Sequence, residues 1–427
     1  MNAVNKYFTN RFFLCYYFLL LFVLCSWSNS ESLPPIYLRI IYIACVTVPL
    51  ILMKHRLYPI IVLTLVVISS SSYAVSYMPV EGLYIFIIFI IGFFLIKPNP
   101  HLHIQVSFPI LFLGLISMLV DLIYSNEIFI SFHLFSLIVT CYFIPKANNE
   151  YIRIMSYSFI LISLVLSLEF VFLGDKFISS VNTFLGVFDR KGWADPNYFC
   201  SILGYGICAC FIELLVNRKN ANLKSNLFIY VILFLSIYTL VTAASRGTIV
   251  AISCFTFVII FFSSMHLKQR FMIISLLSVT GILMYYLGYL DLIILRFLSD
   301  AGDAGGRTNI WIDRLYAFIN DCNPIEWIVG IGRERSLYLG TSGILGSHND
   351  FVATLVSYGF IGLFTLIIIL LQPVLRANKN KALILALVSY LAVCMFSIEP
   401  FTGGQWGCLY FYIYLQTLSQ SNYGSKI

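Results

Sequence analysis

The chain has 427 residues, of which 60% are hydrophobic and only 11% charged, with a formal net charge of +7 and a mean hydropathy of +0.91. This composition excludes a soluble globular domain of ordinary make-up. Apolar runs of roughly 20 residues, enough to cross a hydrocarbon core of ~30 Å, recur along the whole chain and exclude a single anchored domain. An outer-membrane barrel is also excluded, because its strands would alternate polar and apolar residues.

The apolar runs predict an all-α polytopic membrane protein with one membrane domain of about 12–14 transmembrane helices. The predicted spans cover residues 12–28, 36–53, 57–74, 83–96, 107–124, 129–144, 154–173, 197–216, 226–243, 247–263, 271–290, 349–371, 382–398 and 405–418. The run at 83–96 is short enough to be re-entrant. The first run could instead be a cleavable signal peptide, but no small-x-small cleavage site follows it cleanly, so we favour a retained helix.

The lysines and arginines predict the orientation of these spans. Every second short loop, counted from the N-terminus, is basic, whereas the short loops between them carry mainly acidic residues such as Glu31, Glu81 and Glu399. Short basic loops mark the cytoplasmic side. Both termini are therefore predicted to be cytoplasmic, and the two long loops at residues 174–196 and 291–347 are predicted to face outward.

Arginines on the outward face contradict this charge rule. Arg246 lies where two predicted spans meet at their outer ends, and arginine at membrane depth is costly and usually functional. The alternatives are ordinary solvated arginines in the loops and, for Arg246, contact with lipid phosphates. A guanidinium matches phosphate bidentately, so arginines that converge at this face would suit a lipid-linked pyrophosphate. Nucleic acid is not expected as a partner, because the basic residues are few and lie on the wrong side of the membrane.

Residues 307–320 of the second loop predict a short amphipathic helix. Arg307, Trp311 and Arg314 fall on one face by helical spacing. One interpretation is an interfacial helix anchored by tryptophan. The other is that Arg307 points into a site while Trp311 packs behind it or stacks on a sugar. The Gly330-x-Gly332 turn that follows is weak as a phosphate cradle, and we favour a loop that needs flexible backbone.

His348 is the candidate general base. The other five histidines lie in or beside predicted cytoplasmic connections or within a span, whereas His348 lies outside, directly before the apolar run at 351–371. A neutral imidazole there could take a proton from a sugar hydroxyl. The dipole at a helix N-terminus would disfavour its protonated form. A capping histidine is the alternative, and the nearby arginines favour the base.

The shorter outer loop ends in a helix-entry signal, with Asp195 as cap and Pro196 in the first turn. Arg190, near Trp193 in the same loop, suits contact with a sugar or a phosphate. The eleven cysteines are scattered, mostly inside predicted spans, without a CxxC motif or a Cys/His cluster. We therefore predict no metal site and treat the cysteines as small packing residues.

An ordered series of short motifs resembles the O-antigen ligase/polymerase superfamily of bacterial envelope glycosyltransferases. The series covers roughly residues 189–371 and consists of Asp195-Pro196-Asn197, Ser245-Arg246-Gly247, Gly306-Arg307 with Trp311, Pro324, Gly330-x-Gly332, and Ser347-His348-Asn349 with Gly359 and Gly362. The resemblance implies a GT-C-like helical bundle in the bacterial inner membrane, with a large periplasmic loop over the site. It also implies a donor glycan on undecaprenyl pyrophosphate, without a nucleotide, cofactor or required metal.

The resemblance further implies roles for individual residues. His348 would activate the acceptor hydroxyl, while Arg246 and Arg307 would hold the pyrophosphate. The further candidate substrate-binding residues are Arg190, Arg314, Arg333, Arg335, Asn349, Trp311 and Asp195.

The resemblance leaves a polymerase and a ligase open, with one near neighbour, and a transporter stays open as a function of a different class. We favour a Wzy-type O-antigen polymerase, because the predicted C-terminal outer loop at 399–404 and the extra N-terminal spans favour it. An O-antigen ligase would use the same donor with lipid A-core as acceptor, and a capsule or exopolysaccharide polymerase is a near neighbour. A lipid-linked oligosaccharide flippase would require repeated halves, which the sequence lacks. A regulator of chain length is a candidate protein partner.

Overall fold

The computed structural model describes residues 104–124, 149–173, 178–183, 186–191, 196–216, 223–299, 307–340, 347–377, 379–400 and 406–423. The spans predicted at 12–28, 36–53, 57–74, 83–96 and 129–144 lie outside these residues, as does Asp195. The other predicted spans and site residues fall within them.

Most of the described residues are helical, and every predicted span among them coincides with a helix. The helices are α1 (Ile104–Tyr124), α2 (Asn149–Leu173), α3 (Pro196–Val216), α4 (Leu223–Thr242), α5 (Arg246–Phe262), α6 (Leu267–Tyr286), α7 (Asp291–Ser299), α8 (Arg307–Asp321), α9 (Pro324–Val329), α10 (Arg333–Leu337), α11 (Asp350–Arg376), α12 (Lys381–Ser397) and α13 (Trp406–Ser419). The predicted helical class is confirmed for this part of the chain.

Three of the described helices are long and apolar enough to cross a membrane, namely Met155–Phe172, Asn197–Val216 and Asp350–Arg376. A fourth is added if Ile273–Tyr286 and Asp291–Leu298, bent by 93° at their break, form one span. The remaining apolar helices are shorter: Phe108–Tyr124, Asn226–Thr242, Arg246–Phe262 and Lys381–Ser397. These helices support a membrane protein, while the predicted total of 12–14 spans stays a prediction.

The bundle is built around α3, which packs against α2, α4 and α5, while α12 packs along α5 and α11. Small residues allow these helices to approach closely. A Cβ added at Gly204 of α3 would lie 2.0 Å from the hydroxyl of Tyr390 in α12. That hydroxyl instead donates a hydrogen bond of 2.7 Å to the carbonyl of Ser201. The two helices therefore lie in direct contact, with a satisfied polar group between them.

Contacts between helix termini define two ends of the bundle. At one end, which we call the site end, the starts of α3 and α5 meet through a 3.3 Å hydrogen bond between Ser245 and Asn197. At the opposite end, Glu213 near the end of α3 lies 4.0 Å from Arg153 of α2 and 2.5 Å from the hydroxyl of Tyr423 after α13. The predicted alternation of outer and inner loops matches this arrangement, and the cytoplasmic identity of the opposite end stays a prediction.

The predicted outer loop at 174–196 contains a two-stranded antiparallel hairpin, a departure from the all-α prediction. Its strands are β1 (Ile178–Thr183) and β2 (Gly186–Lys191). Both strands are short and include β-branched and aromatic residues, which favour extended backbone. Each strand has six residues, fewer than the roughly 9–11 that a strand needs to cross a bilayer.

The predicted loop at 291–347 folds largely into the short helices α7 to α10. Of these, α8 coincides with the amphipathic helix that the sequence predicts at residues 307–320. The start of α9 is stabilised by its N-cap, because the side chain of Asn323 accepts hydrogen bonds from the main-chain nitrogens of Ile325 and Glu326 at 2.9 and 3.0 Å. The carboxylate of Glu326 in turn accepts a bond of 2.9 Å from the main-chain nitrogen of Asn323, which completes a capping box with Pro324 in the first turn.

The Gly330-x-Gly332 turn joins this loop to a kink in α11. The main-chain nitrogens of Ile331 and Gly332 donate to the carbonyls of Val356 and Ser357 at 3.2 and 3.0 Å. A Cβ at Gly330 would lie 2.2 Å from the carbonyl oxygen of Ser357. These glycines therefore allow two main chains to touch, in accord with the favoured interpretation of a turn that needs flexible backbone.

Gly359 lies on the other side of the same junction and provides a test of it. Its φ is +64°, and an added Cβ would lie 2.2 Å from the carbonyl oxygen of Ile328. We expect Gly359→Ala to destabilise the protein by at least roughly 1–2 kcal/mol from the backbone conformation alone, measured as a lower melting temperature in detergent. The control is Gly281→Ala in α6, where an added Cβ meets no atom within 4 Å. A wild-type melting temperature for Gly359→Ala would contradict the junction.

Candidate functional site

The segment Ser347–Asn349 enters α11 at the site end of the bundle. Asn349 is the N-cap of the helix, and its side-chain oxygen accepts from the main-chain nitrogens of Phe351 and Val352 at 2.9 and 3.2 Å. This bonding favours a structural role for Asn349, which the sequence had placed among the substrate-binding residues.

The main chain of His348 has a φ of +50°, in the left-handed region that few residues other than glycine adopt. The residues around it are held by hydrogen bonds. The indole nitrogen of Trp311 donates to the carbonyl of Ser347 at 2.7 Å, and the hydroxyl of Ser347 donates to Glu399 at 2.5 Å. The main-chain N–H of His348 also donates to the Glu399 carboxylate. The partly exposed His348 is thus carried on a fixed turn.

Arg307 and Trp311, one turn apart on α8, both contact the end of α12. The guanidinium of Arg307 donates to the carbonyl of Ser397. The Trp311 ring meets the ring of Phe396 edge to face, with centroids 5.0 Å apart. Trp311 therefore packs against the end of α12 and the His348 turn. Packing behind the site was one of the roles that the sequence suggested for it.

Arg246 is the first residue of α5 and is paired with Arg296 of α7 through main-chain atoms. Its guanidinium donates to the carbonyl of Arg296 at 2.9 Å, while the guanidinium of Arg296 donates to the carbonyl of Ala244. The next residue, Gly247, lies so close to α12 that an added Cβ would be 2.5 Å from the hydroxyl of Ser397. The start of α5 therefore reaches the same part of α12 as Arg307.

One short stretch, which we call the 396–399 segment (Phe396 to Glu399), thus joins the three residues to which the sequence assigned catalysis. Within this segment, the carbonyl of Ser397 accepts from Arg307, and the carboxylate of Glu399 accepts from the main-chain N–H of His348. Arg246 is next to the segment, because its neighbour Gly247 packs against Ser397. The structure brings these three residues to one end of the bundle although they come from α5, α8 and the turn before α11.

The remaining candidate arginines lie in other surroundings. Arg314 is only 2% exposed and donates to the carbonyls of Ser336 and Leu337 at 3.0 and 3.4 Å. Burial lowers the pKa of its guanidinium. This setting favours a structural role at the end of α10. Arg190 lies in β2 of the hairpin, where its main chain pairs with Ser179.

Arg333 and Arg335 each form an ion pair within the described residues. Arg333 lies 2.5 Å from Glu399, and Arg335 lies 2.7 Å from Glu326. The side chain of Arg335 stays 46% exposed and lies over the ring of Tyr124. Arg333 therefore contacts the site through Glu399, whereas Arg335 pairs with Glu326 of α9.

Glu399 is the site residue that sequence reasoning missed, although it was noted as an acidic loop residue. It is only 3% exposed. Burial raises the pKa of this carboxyl, but Arg333, Ser347 and the N–H of His348 outweigh burial and hold the pKa below its usual value. Its charged form stabilises the fold at neutral pH, and that contribution is lost as the pH falls through the lowered pKa. The signal in the sequence was a carboxylate directly after an apolar run, facing an arginine-rich loop.

A second buried carboxylate, Asp121 near the end of α1, supports the same region. It accepts from the main-chain nitrogen of Arg333 at 2.9 Å and from the hydroxyl of Tyr358 at 3.2 Å. Among the described residues, no group of three His, Cys, Asp or Glu side chains is arranged to hold a metal ion. The groups described at the site end include the guanidinium of Arg333 and the carboxylates of Asp121 and Glu399.

The fold and the site define a helical membrane protein with a cationic site at one end of its bundle. A family model described as O-antigen ligase (Wzy_C) matches residues 231–367, a stretch that contains Arg246, Arg307 and His348. The match confirms the resemblance to the O-antigen ligase/polymerase superfamily over this stretch. It supports a glycosyltransferase activity of the ligase/polymerase type. A comparison with curated proteins gives no match.

The burial of Arg314 gives a prediction that separates a structural role from substrate binding. We expect Arg314→Met to lower the melting temperature, because the buried carbonyl of Ser336 loses its donor at roughly 1–3 kcal/mol, and the partly buried carbonyl of Leu337 loses its donor as well. Arg335→Met is the matched control, since it removes a half-exposed ion pair worth about 0–1 kcal/mol. Equal melting temperatures for Arg314→Met and the wild type would contradict the structural role.

Proposed function

We propose that the chain is a Wzy-type O-antigen polymerase acting at the periplasmic face of the bacterial inner membrane. It would move the glycan chain from undecaprenyl pyrophosphate onto a sugar hydroxyl of a second lipid-linked repeat unit. The observation that carries the proposal is the meeting of Arg246, Arg307 and the His348 turn around the 396–399 segment. The predicted outward orientation of this end supplies the periplasmic face.

The proposed reaction is a single displacement at the anomeric carbon of the donor sugar. His348 takes the proton of the acceptor hydroxyl, and the hydroxyl oxygen forms the new bond to the anomeric carbon. The bond from that carbon to the pyrophosphate oxygen breaks, and undecaprenyl pyrophosphate leaves with the bonding electrons. Arg246 and Arg307 stabilise the charge that grows on the leaving group.

The anchoring of both arginines supports this role. Each guanidinium donates to a main-chain carbonyl, Arg246 to Arg296 and Arg307 to Ser397. Each carbonyl orients the guanidinium from which it accepts. Donors held in advance need little reorganisation when charge develops, which is the basis of electrostatic catalysis.

An O-antigen ligase is the second candidate, and the family model that matches residues 231–367 is described by that activity. The donor, the base and the arginines would be the same, and the acceptor would be lipid A-core. The predicted C-terminal outer loop and the extra N-terminal spans favour the polymerase. Because the donor chemistry is shared, only the acceptor separates the two.

The deciding experiment gives the purified protein synthetic lipid-linked repeat units, with and without lipid A-core. Products longer than one repeat, formed without lipid A-core, are expected for a polymerase. Transfer only to lipid A-core would support the ligase. Movement of the lipid-linked unit across vesicle membranes without any transfer would contradict both proposals.

The proposed base is tested with His348→Asn. Asparagine tolerates the left-handed backbone found at this position, so the exchange removes the base with little added strain. We expect transfer to fall by roughly 10²–10⁴-fold at unchanged expression. The matched control is His266→Asn, an exposed histidine between α5 and α6 at the opposite end of the bundle. Wild-type transfer by His348→Asn would remove the base from the mechanism.

The proposed pyrophosphate contacts are tested with Arg246→Lys and Arg246→Ala. If bidentate contact matters, lysine will be nearly as damaging as alanine, with roughly 10²–10³-fold loss of transfer. Arg270→Lys is a suitable control, because Arg270 also donates to main-chain carbonyls, those of Ser263 and Met265, at the opposite end. Full activity of Arg246→Lys would show that charge alone is sufficient.

A further inference from the structure

Glu399 joins three parts of the site end that are distant in sequence. It follows α12 and accepts from the Arg333 guanidinium at 2.5 Å and from the Ser347 hydroxyl at 2.5 Å. The main-chain N–H of His348 is a third donor to the same carboxylate. One buried side chain therefore connects the end of α12, the start of α10 and the turn that carries His348.

The His348 turn needs such an anchor, because its main chain is in a costly conformation. A left-handed backbone costs about 1–2 kcal/mol for a residue other than glycine. A residue keeps such a conformation only where several contacts from the surrounding structure hold it in place. Here Trp311 holds the carbonyl of Ser347, while Glu399 holds the Ser347 hydroxyl and the N–H of His348.

The same segment also fixes Arg307, and so it sets the spacing between two site residues. Ser397, whose carbonyl accepts from Arg307, lies two positions before Glu399. Ile398 between them is extended, with φ −149° and ψ 178°. Two residues of extended chain span about 7 Å. The 396–399 segment thus acts as a spacer of set length between the Arg307 anchor and the His348 anchor.

Arg333 gives the carboxylate a fixed counter-charge. Its own main-chain nitrogen is bound by Asp121 of α1 at 2.9 Å, so the ion pair is tied to a further helix. A glutamine at position 399 could still accept hydrogen bonds from Ser347 and His348. It would leave the guanidinium of Arg333 without its charge partner, and removing one member of a buried pair is strongly destabilising.

We propose that Glu399 is a positioning residue, whose carboxylate, paired with Arg333, holds the His348 turn at a set distance from Arg307. Glu399 itself does not touch the substrate and acts through the turn. The catalytic consequence rests on the proposed function, because only in a transferase does this distance separate the base from the leaving group. The structural statement, that Glu399 orders the turn, is independent of any activity.

The ordering of the His348 turn by Glu399 is tested by hydrogen–deuterium exchange of the amides at 347–352 in detergent-purified protein. We expect faster exchange in Glu399→Gln and Glu399→Ala than in the wild type, with Glu399→Asp between them. Glu326→Gln is the matched control, because Glu326 is also buried and paired with an arginine, at 2.7 Å, on α9. Wild-type exchange at 347–352 in a folded Glu399→Ala protein would overturn the proposal.

A milder variant keeps the test valid if the Glu399 variants do not fold. Ser347→Ala removes one donor to the carboxylate and leaves the Arg333 ion pair intact. We expect a smaller but measurable increase in exchange at 347–352, with size-exclusion behaviour unchanged. Unchanged exchange in Ser347→Ala would count against the anchor in the same way.

The catalytic consequence is tested by the kinetics of transfer. We expect Glu399→Gln to lower kcat by about 100-fold, the size expected for a displacement of roughly 1 Å, with little change in the donor KM. Glu326→Gln should keep the wild-type kcat. A raised donor KM with unchanged kcat would contradict positioning of the base. If the wild type shows no transfer while Glu399→Gln still loosens the turn, the proposed function fails and the positioning role stands.

Discussion

The buried carboxylate of Glu399 is the interaction on which the arrangement of the site end depends. It lies at the end of α12, is 3% exposed, and is paired with Arg333 at 2.5 Å. Removing one partner of a buried ion pair costs about 3–5 kcal/mol, because a charge is left without compensation. That cost gives the loop helices α8 to α10 one preferred position relative to the bundle. The main-chain junction between Gly330 and α11 fixes the same loop from the other side.

The charges at this end fall into two groups with different surroundings. Arg333 and Arg335 are matched with carboxylates, and buried Arg314 binds main-chain carbonyls at the end of α10. Arg246 and Arg307 bind carbonyls at the helix ends where α5, α8 and α12 meet. The first group links parts of the loop to one another and to the 396–399 segment, and the second group links the helix ends beside the His348 turn. This division explains why a protein with 11% charged residues places several arginines in one region.

The sequence predicted the helices and singled out Arg246, Arg307 and His348 at one outward end, because both signals are local. The structure brings these three residues to one end of the bundle, and their catalytic roles stay a prediction. A span needs a long apolar run, and an arginine or a histidine at an outer helix end is visible without knowing its partners. Glu399 could not be assigned, since its partners Arg333 and Ser347 lie 66 and 52 positions away. Asn349 and Arg314 were predicted as substrate-binding from residue type, yet their described partners are main-chain atoms. The hairpin was missed because its strands are short and lie within a loop.

We propose that Arg246, Arg307 and His348 surround one lipid-linked pyrophosphate. This proposal is tested most directly by cross-linking the protein to a donor that carries a photoreactive group beside the pyrophosphate, followed by peptide mapping. We expect labelled peptides from the start of α5, the start of α8 and the 347–350 turn. Excess undecaprenyl pyrophosphate should suppress the labelling of all three peptides. Labelling confined to the opposite end of the bundle, around Arg153, Glu213 and Tyr423, would contradict the proposal.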